Sequence, residues 1–228
     1  MADMRKDRDT ALDTLLQEIV TEVRDTQYLT GRASLSPQVM LALRQVPREA
    51  FVSEKQNAAA YLNRPLPIGY AQTISQPYIV ALMTDMLEPG NDHIVLEIGT
   101  GSGYQAAILS QLVKHLYTME VIDALAQQAS DRLRRLDYRN VSVRTGDGNL
   151  GWPEHAPYDS IIVTAAAPRI PPALLEQLKP GGRLVIPVGT DHFSQDLWMI
   201  RKDSGGHLEE KNVLPVVFVP LIQQQDRS

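Results

Sequence analysis

The chain has 228 residues, with 22 Lys and Arg against 27 Asp and Glu, a formal charge of −5, and it contains no cysteine. With 43% hydrophobic and 21% charged residues it has the balance of an ordinary globular domain with modest appendages, not of a disordered or fibrous chain. The acidic excess argues against a dedicated nucleic-acid binder, and the missing cysteine excludes disulfides, thiolate nucleophiles and cysteine metal sites.

In chain order, the opening MADMRKDRDT has no apolar signal segment, and no apolar run approaches the roughly 18 residues of a membrane span. A cytoplasmic protein with no membrane partner is therefore expected. Leu12, Leu15, Leu16, Ile19 and Val23 share one face of a helix that should begin near Asp9 or Thr10. Ser36 as N-cap and Pro37 at the first helical position announce a second helix, which ends before Pro47. Residues 63–78, NRPLPIGYAQTISQPY, are too polar and too punctuated by Pro and Gly for a regular element and predict a long irregular loop. Pro77 to Leu87 reads as a helix, with Ser75 placed to cap it.

From His93 onward, short apolar runs alternate with helical patterns. HIVLEI leads into a helix from Tyr104, LYTM into a helix over 123–136, and VSVR, SIIVT, a short helix near 172–178 and RLVIPV follow. The runs DLWMIRK and VLPVVFV, parted by Ser204-Gly205-Gly206, predict an antiparallel pair at one edge. The fold expected is α/β: Rossmann-like and doubly wound, with a mostly parallel seven-stranded sheet, helices on both faces and a helical N-terminal extension. Residues 1–90 would form that extension with the irregular loop, and residues 91–228 the main domain, in one globular unit. Arg132, Arg134, Arg135 and Arg139 gather at the end of a predicted helix and read as solvated surface.

The run Glu97-Ile98-Gly99-Thr100-Gly101-Ser102-Gly103 joins a strand to a helix, where glycines let backbone approach a ligand. A dinucleotide fingerprint would place its last glycine or alanine where Tyr104 stands, which counts against NAD. Glu97 would repel a pyrophosphate at the helix N-terminus but suits a cationic ligand such as S-adenosylmethionine. Glu120 ends the next strand, at about the interval where an acidic group meets ribose hydroxyls, and Asp147, between two glycines after the third, could accept from an adenine amino group or simply shape a turn.

The runs VLEIGTGSGY, MEVI, GDG and IIVTAA resemble class I S-adenosylmethionine-dependent methyltransferases. PLPIGYAQTISQPY is similar to a narrower family, the protein-L-isoaspartate O-methyltransferases, and the similarity runs from Val46-Pro47-Arg48-Glu49-Ala50-Phe51 to Val219-Pro220-Leu221. The resemblance implies a repair enzyme that methylates the free α-carboxylate of L-isoaspartyl residues in proteins and peptides, whose esters then favour cyclisation to succinimide. It implies Ser75 as the active-site hydroxyl, Ile74 and Ser75 beside the methyl donor, and Gly99, Thr100, Gly101 and Gly103 along its methionine end, with Glu97 nearby. Glu120 would meet the ribose and Asp147-Gly148 the adenine. Val219 and Leu221 would border the acceptor, with Val217 to Leu221 in a strand beside it, while Tyr70, Gln72 and Gln76 of the loop could either orient acceptor amides or serve loop packing. Family members often have Asp where Asn63 stands, so a charge-based role there is in doubt.

An acceptor carboxylate with a pKa of roughly 3.3–3.7 is ionised at pH 7 and needs no general base. The sequence agrees, since His93, His115, His155, His192 and His207 form no His-Asp or HExxH arrangement and read as surface or structural groups. No metal and a monomeric state are expected. A nucleic-acid amino-methyltransferase is disfavoured because Thr164-Ala165-Ala166-Ala167-Pro168 replaces the Asp/Asn-Pro-Pro-aromatic tetrapeptide, and a C5-pyrimidine enzyme because cysteine is absent. A small-molecule carboxyl or hydroxyl methyltransferase and a non-catalytic cofactor sensor remain alternatives.

Overall fold

The computed structural model describes residues 2–190 and 194–222; His192 lies outside them. The helices α1 (Ala2–Asp25), α2 (Gln27–Thr30) and α3 (Pro37–Gln45) come first, followed by 3₁₀ turns over Arg48–Phe51 and Glu54–Ala59. Helix α1 starts well before Asp9, because its first turns carry no apolar stripe to mark them in the sequence. Ser36 caps α3 as expected, its Oγ accepting from Val39 N at 3.3 Å.

The segment expected to be irregular contains a hairpin, β1 (Leu66–Gly69) with β2 (Gln72–Ile74). Its two-residue turn holds Tyr70 and Ala71 at φ 53° and 55°, so the usual Asn-Gly signal was absent. Helix α4 (Pro77–Met86) follows, and its N-cap is Gln76, not Ser75. Its Tyr78 N–H is accepted from outside the helix, by Asn63 Oδ1 at 3.0 Å.

The main sheet is built from β3 (Ile94–Ile98), β4 (His115–Glu120), β5 (Val141–Thr145), β6 (Tyr158–Val163), β7 (Leu178–Val188), β8 (Gln195–Lys202) and β9 (Leu208–Val216). Helices α5 (Tyr104–Ser110), α6 (Asp123–Arg135) and α7 (Pro172–Glu176) lie between them in sequence. The seven strands run in the order β5-β4-β3-β6-β7-β8-β9, parallel through β7 and then antiparallel twice. The last strand starts five residues earlier than VLPVVFV and stops at Val216; Pro220 makes only an isolated bridge to Ala166.

Strands buried on both faces need apolar side chains on both, which is why these runs are nearly continuous in sequence. Val95 and Ile162 face one core, while Leu96, Ile98, Ile161 and Val163 face the other. The first core also takes Ile19 of α1, Val39 of α3, Phe51 and Leu82 of α4, so the N-terminal helices share one continuous apolar interior with the sheet. Sequence-adjacent β3 and β4 pair on one side and β6 joins β3 on the other, which opens a crevice at the carboxyl ends of these strands.

Candidate active site

The turn after β3 occupies that crevice. Gly99 adopts φ 97°, and a Cβ there would run into Thr164 Oγ1, so glycine is required both by conformation and by space. Thr164, at the end of β6, donates its hydroxyl hydrogen towards Gly99 O (2.7 Å) and thereby fastens the turn to the neighbouring strand. Glu120, at the end of β4, accepts from Gly101 N at 2.8 Å and Ile122 N at 3.0 Å. Arg132 is no solvated surface residue: its Nη1 donates to Ser102 O at 2.7 Å and holds the turn from α6.

A cavity of about 50 Å³ opens here, walled by Gly99, Gly101, Glu120, Gly146, Gly148 and Leu221, among others. Its wall includes a carboxylate and no lysine or arginine, which suits a cationic nucleoside and not a pyrophosphate. Glu120 uses one lone pair of each oxygen on a backbone N–H, which leaves it capacity to accept further hydrogen bonds.

Beside it lies a cleft of about 540 Å³ between α1, the loop around Ser75 and the segment after β9. Ser75 and Gln76 line it together with Glu22, Thr26 and Tyr78. Gln195 of β8 fixes its far wall, donating to Phe218 O at 3.1 Å and accepting from Phe218 N at 2.6 Å. Two further bonds, Ala166 N to Val219 O and Leu221 N to Ala166 O, both 2.8 Å, carry the Val219-Pro220-Leu221 run past the first cavity. Thr73 and Thr164 wall both spaces, and Ser75 also lines a small recess against Gly99, Thr100 and Gly101. The hydroxyl-bearing loop thus stands where the two spaces meet.

Of the residues singled out in sequence, the structure gathers Ile74, Ser75, Gly99, Thr100, Gly101, Glu120, Gly148 and Val219 around this junction, with Gln76 on the cleft. Gln72 and Leu221 line the first cavity, not the cleft. Four lie off these walls. Gly103 caps α5, Tyr70 is exposed at the hairpin tip, and Asp147 accepts from Asn149 N at 2.9 Å within its own turn. Glu97 is fully buried beneath the loop, and burial pushes its carboxyl up to about 8, so it is mostly protonated at neutral pH.

Thr73, Thr164, Gln195 and Glu22 were missed, because lone polar residues at strand ends and on an amphipathic helix carry no local signal. Arg48 stands out in the sequence only as part of the run from Val46 to Phe51. It is completely buried, donates from Nη2 to Ser75 O at 2.8 Å and lies 4.8 Å from the Tyr104 ring centroid, tying the Ser75 loop to α5. Asn63 lies behind the cleft, where its Nδ2 donates to Glu22 Oε2 at 2.7 Å. None of the described histidines lines these spaces, and among the described residues no cluster of three or more His, Asp or Glu could hold a metal ion.

A parallel sheet of this order, a glycine turn at its switch point and a strand-end carboxylate define a class I S-adenosylmethionine-dependent methyltransferase. The model of the protein-L-isoaspartate(D-aspartate) O-methyltransferase family matches residues 17–226, and the chain belongs to that family. A Syntrophobacter fumaroxidans protein-L-isoaspartate O-methyltransferase 2 is 56% identical over 207 residues, covering 91% of this chain and 84% of its own. A Polaromonas protein of the same name is 54% identical, covering 92% and 100%. A Plasmodium falciparum structure, assigned as a protein-L-isoaspartate O-methyltransferase in complex with S-adenosyl-L-homocysteine, superposes with a TM-score of 0.76 at 21% identity and covers 95% of this chain and 98% of its own. Among the described residues no helix is long and apolar enough to cross a membrane.

Proposed function

We propose that this chain methylates the free α-carboxylate of L-isoaspartyl residues in proteins and peptides, with the acceptor in the larger cleft and S-adenosylmethionine along the glycine turn. The supporting observation is that the two spaces share Thr73, Thr164 and Val219 as walls, while Ser75 lines the cleft and the recess against the glycine turn. S-adenosylmethionine supplies a methyl on a cationic sulfur, which leaves as a neutral thioether when the carboxylate oxygen takes the methyl. The acceptor arrives ionised, so the chain has no proton to remove. Its task is alignment and exclusion of water, and positioning of this kind supplies roughly 7–11 kcal/mol.

The cleft suits that task. Its walls carry hydroxyls, amides and the one carboxylate of Glu22 but no lysine or arginine, so nothing ties up the attacking oxygen as an ion pair. Ser75 can donate a hydrogen bond to the carboxylate without protonating it. Residues 1–90 and 91–228 share the acceptor side equally, and residues 91–228 supply most of the cofactor side, in a cytoplasmic protein.

The reading is tested with methyl-labelled S-adenosylmethionine and two isoaspartyl peptides, one with a free α-carboxylate and one with that group as the carboxamide. Base-labile label is expected on the first alone. Label on both would move the acceptor to another group. In the same assay Ser75→Ala should lower turnover at least about tenfold, the scale of a hydrogen bond to a charged group, with little change in stability because Ser75 caps no helix.

A further inference from the structure

The cleft is entered by one carboxylate that the methyl transfer itself does not use. Glu22, on α1, accepts from Asn63 Nδ2 at 2.7 Å and from Gln76 Nε2 at 3.2 Å to each of its two oxygens. Burial raises its pKa, the amide hydrogen bonds from Asn63 and Gln76 oppose that and favour the carboxylate, and the charges that act on it, Asp25 and Glu18, are both acidic.

This arrangement fixes which way two carboxamides face. A carboxamide presents an acceptor on one side and a donor on the other, and either could be turned inward. A carboxylate only accepts, so it captures the NH₂ side of both. Asn63 is locked a second time, because its Oδ1 accepts from Tyr78 N at 3.0 Å. Gln76 has no such second contact; its orientation rests on Glu22. With Nε2 held, its Oε1 is turned away from Glu22, and no hydrogen bond from a described residue reaches it. Gln76 follows Ser75 directly and lines the same cleft.

An isoaspartyl acceptor brings N–H donors close to its carboxylate: its own amide and that of the residue joined through its side chain. We propose that Glu22 is a positioning residue that holds Gln76 Oε1 towards the cleft to accept an N–H of the acceptor peptide, and so aligns the carboxylate at Ser75. The proposal rests on the isoaspartyl reading above. It gives α1 a part in acceptor binding, from a residue 54 positions upstream of the side chain it orients.

The test is a double-mutant cycle on the whole protein with Glu22→Gln, Gln76→Ala and both changes, reading acceptor KM, kcat, S-adenosylmethionine Kd and thermal stability. Glutamine at 22 can donate as well as accept, so Gln76 is freed to flip. We expect each single change to raise acceptor KM by about tenfold, the worth of one hydrogen bond, with cofactor Kd unchanged, and the double variant to be no worse than Gln76→Ala. Glu22→Asp keeps a carboxylate and should recover part of the loss. An unchanged KM in Glu22→Gln, additive losses in the double variant, or equal rises in KM and cofactor Kd would each overturn the proposal. A wild-type protein inactive on isoaspartyl peptides would instead overturn the reading beneath it.

Discussion

Glu97 shows how far a single residue can depart from what its position in a motif suggests. As an acidic group next to a glycine turn it invites the role of a cofactor ligand, yet it is completely buried and lies off the cavity walls. Its carboxyl is pushed up to about 8, against an ordinary 4.5, mainly by burial. The folded state therefore keeps a proton that the unfolded chain releases. The resulting stabilisation is full below about pH 4.5 and is lost as pH rises towards 8, a change on the order of a few kcal/mol. Urea titrations should show stability falling across that window in the wild type and a flatter profile in Glu97→Gln; parallel profiles would contradict the account. Glu120 was legible because a strand end fixes where its side chain points. Arg48 and Glu22 were not, because their side-chain hydrogen-bond partners lie 16 to 54 residues away and nothing local predicts them.

The hairpin from Leu66 to Ile74 is the element that sequence reasoning missed. Pro65, Pro67 and the polar Gln72-Thr73 break the alternation by which strands are recognised, and the turn uses Tyr70 and Ala71 in a conformation that costs L residues about 1–2 kcal/mol each. What the hairpin gains is reach, since β2 leads from Gln72 on the first cavity through Thr73, which walls both spaces, to Ser75 on the cleft. Replacing Tyr70-Ala71 with Asn-Gly should relieve the turn and stabilise the protein by about 1 kcal/mol, or about 2–4 °C in thermal denaturation. A fall in melting temperature would show that Tyr70, though exposed, contributes contacts worth more than the strain. The main strands, by contrast, were readable because burial on both faces leaves almost nothing but Val, Ile and Leu to choose from.

At the scale of the whole molecule, strand count and the antiparallel edge followed from the alternation of runs and helices, while the ends of β9 did not. Its first half, Leu208 to Asn212, is charged and exposed as an edge strand should be, so apolar patterning found only the inner half. The N-terminal helices had no recognisable motif, yet they share the sheet's core and bring Glu22 to the acceptor cleft. The central claim is that this architecture brings a methyl donor and an isoaspartyl carboxylate together at Ser75. The most direct measurement is transfer of labelled methyl from S-adenosylmethionine to two peptides identical but for L-isoaspartate or L-aspartate at one position. Base-labile methyl ester on the isoaspartyl peptide alone is the predicted result. Equal labelling of both, or labelling of neither while the cofactor still binds, would contradict it.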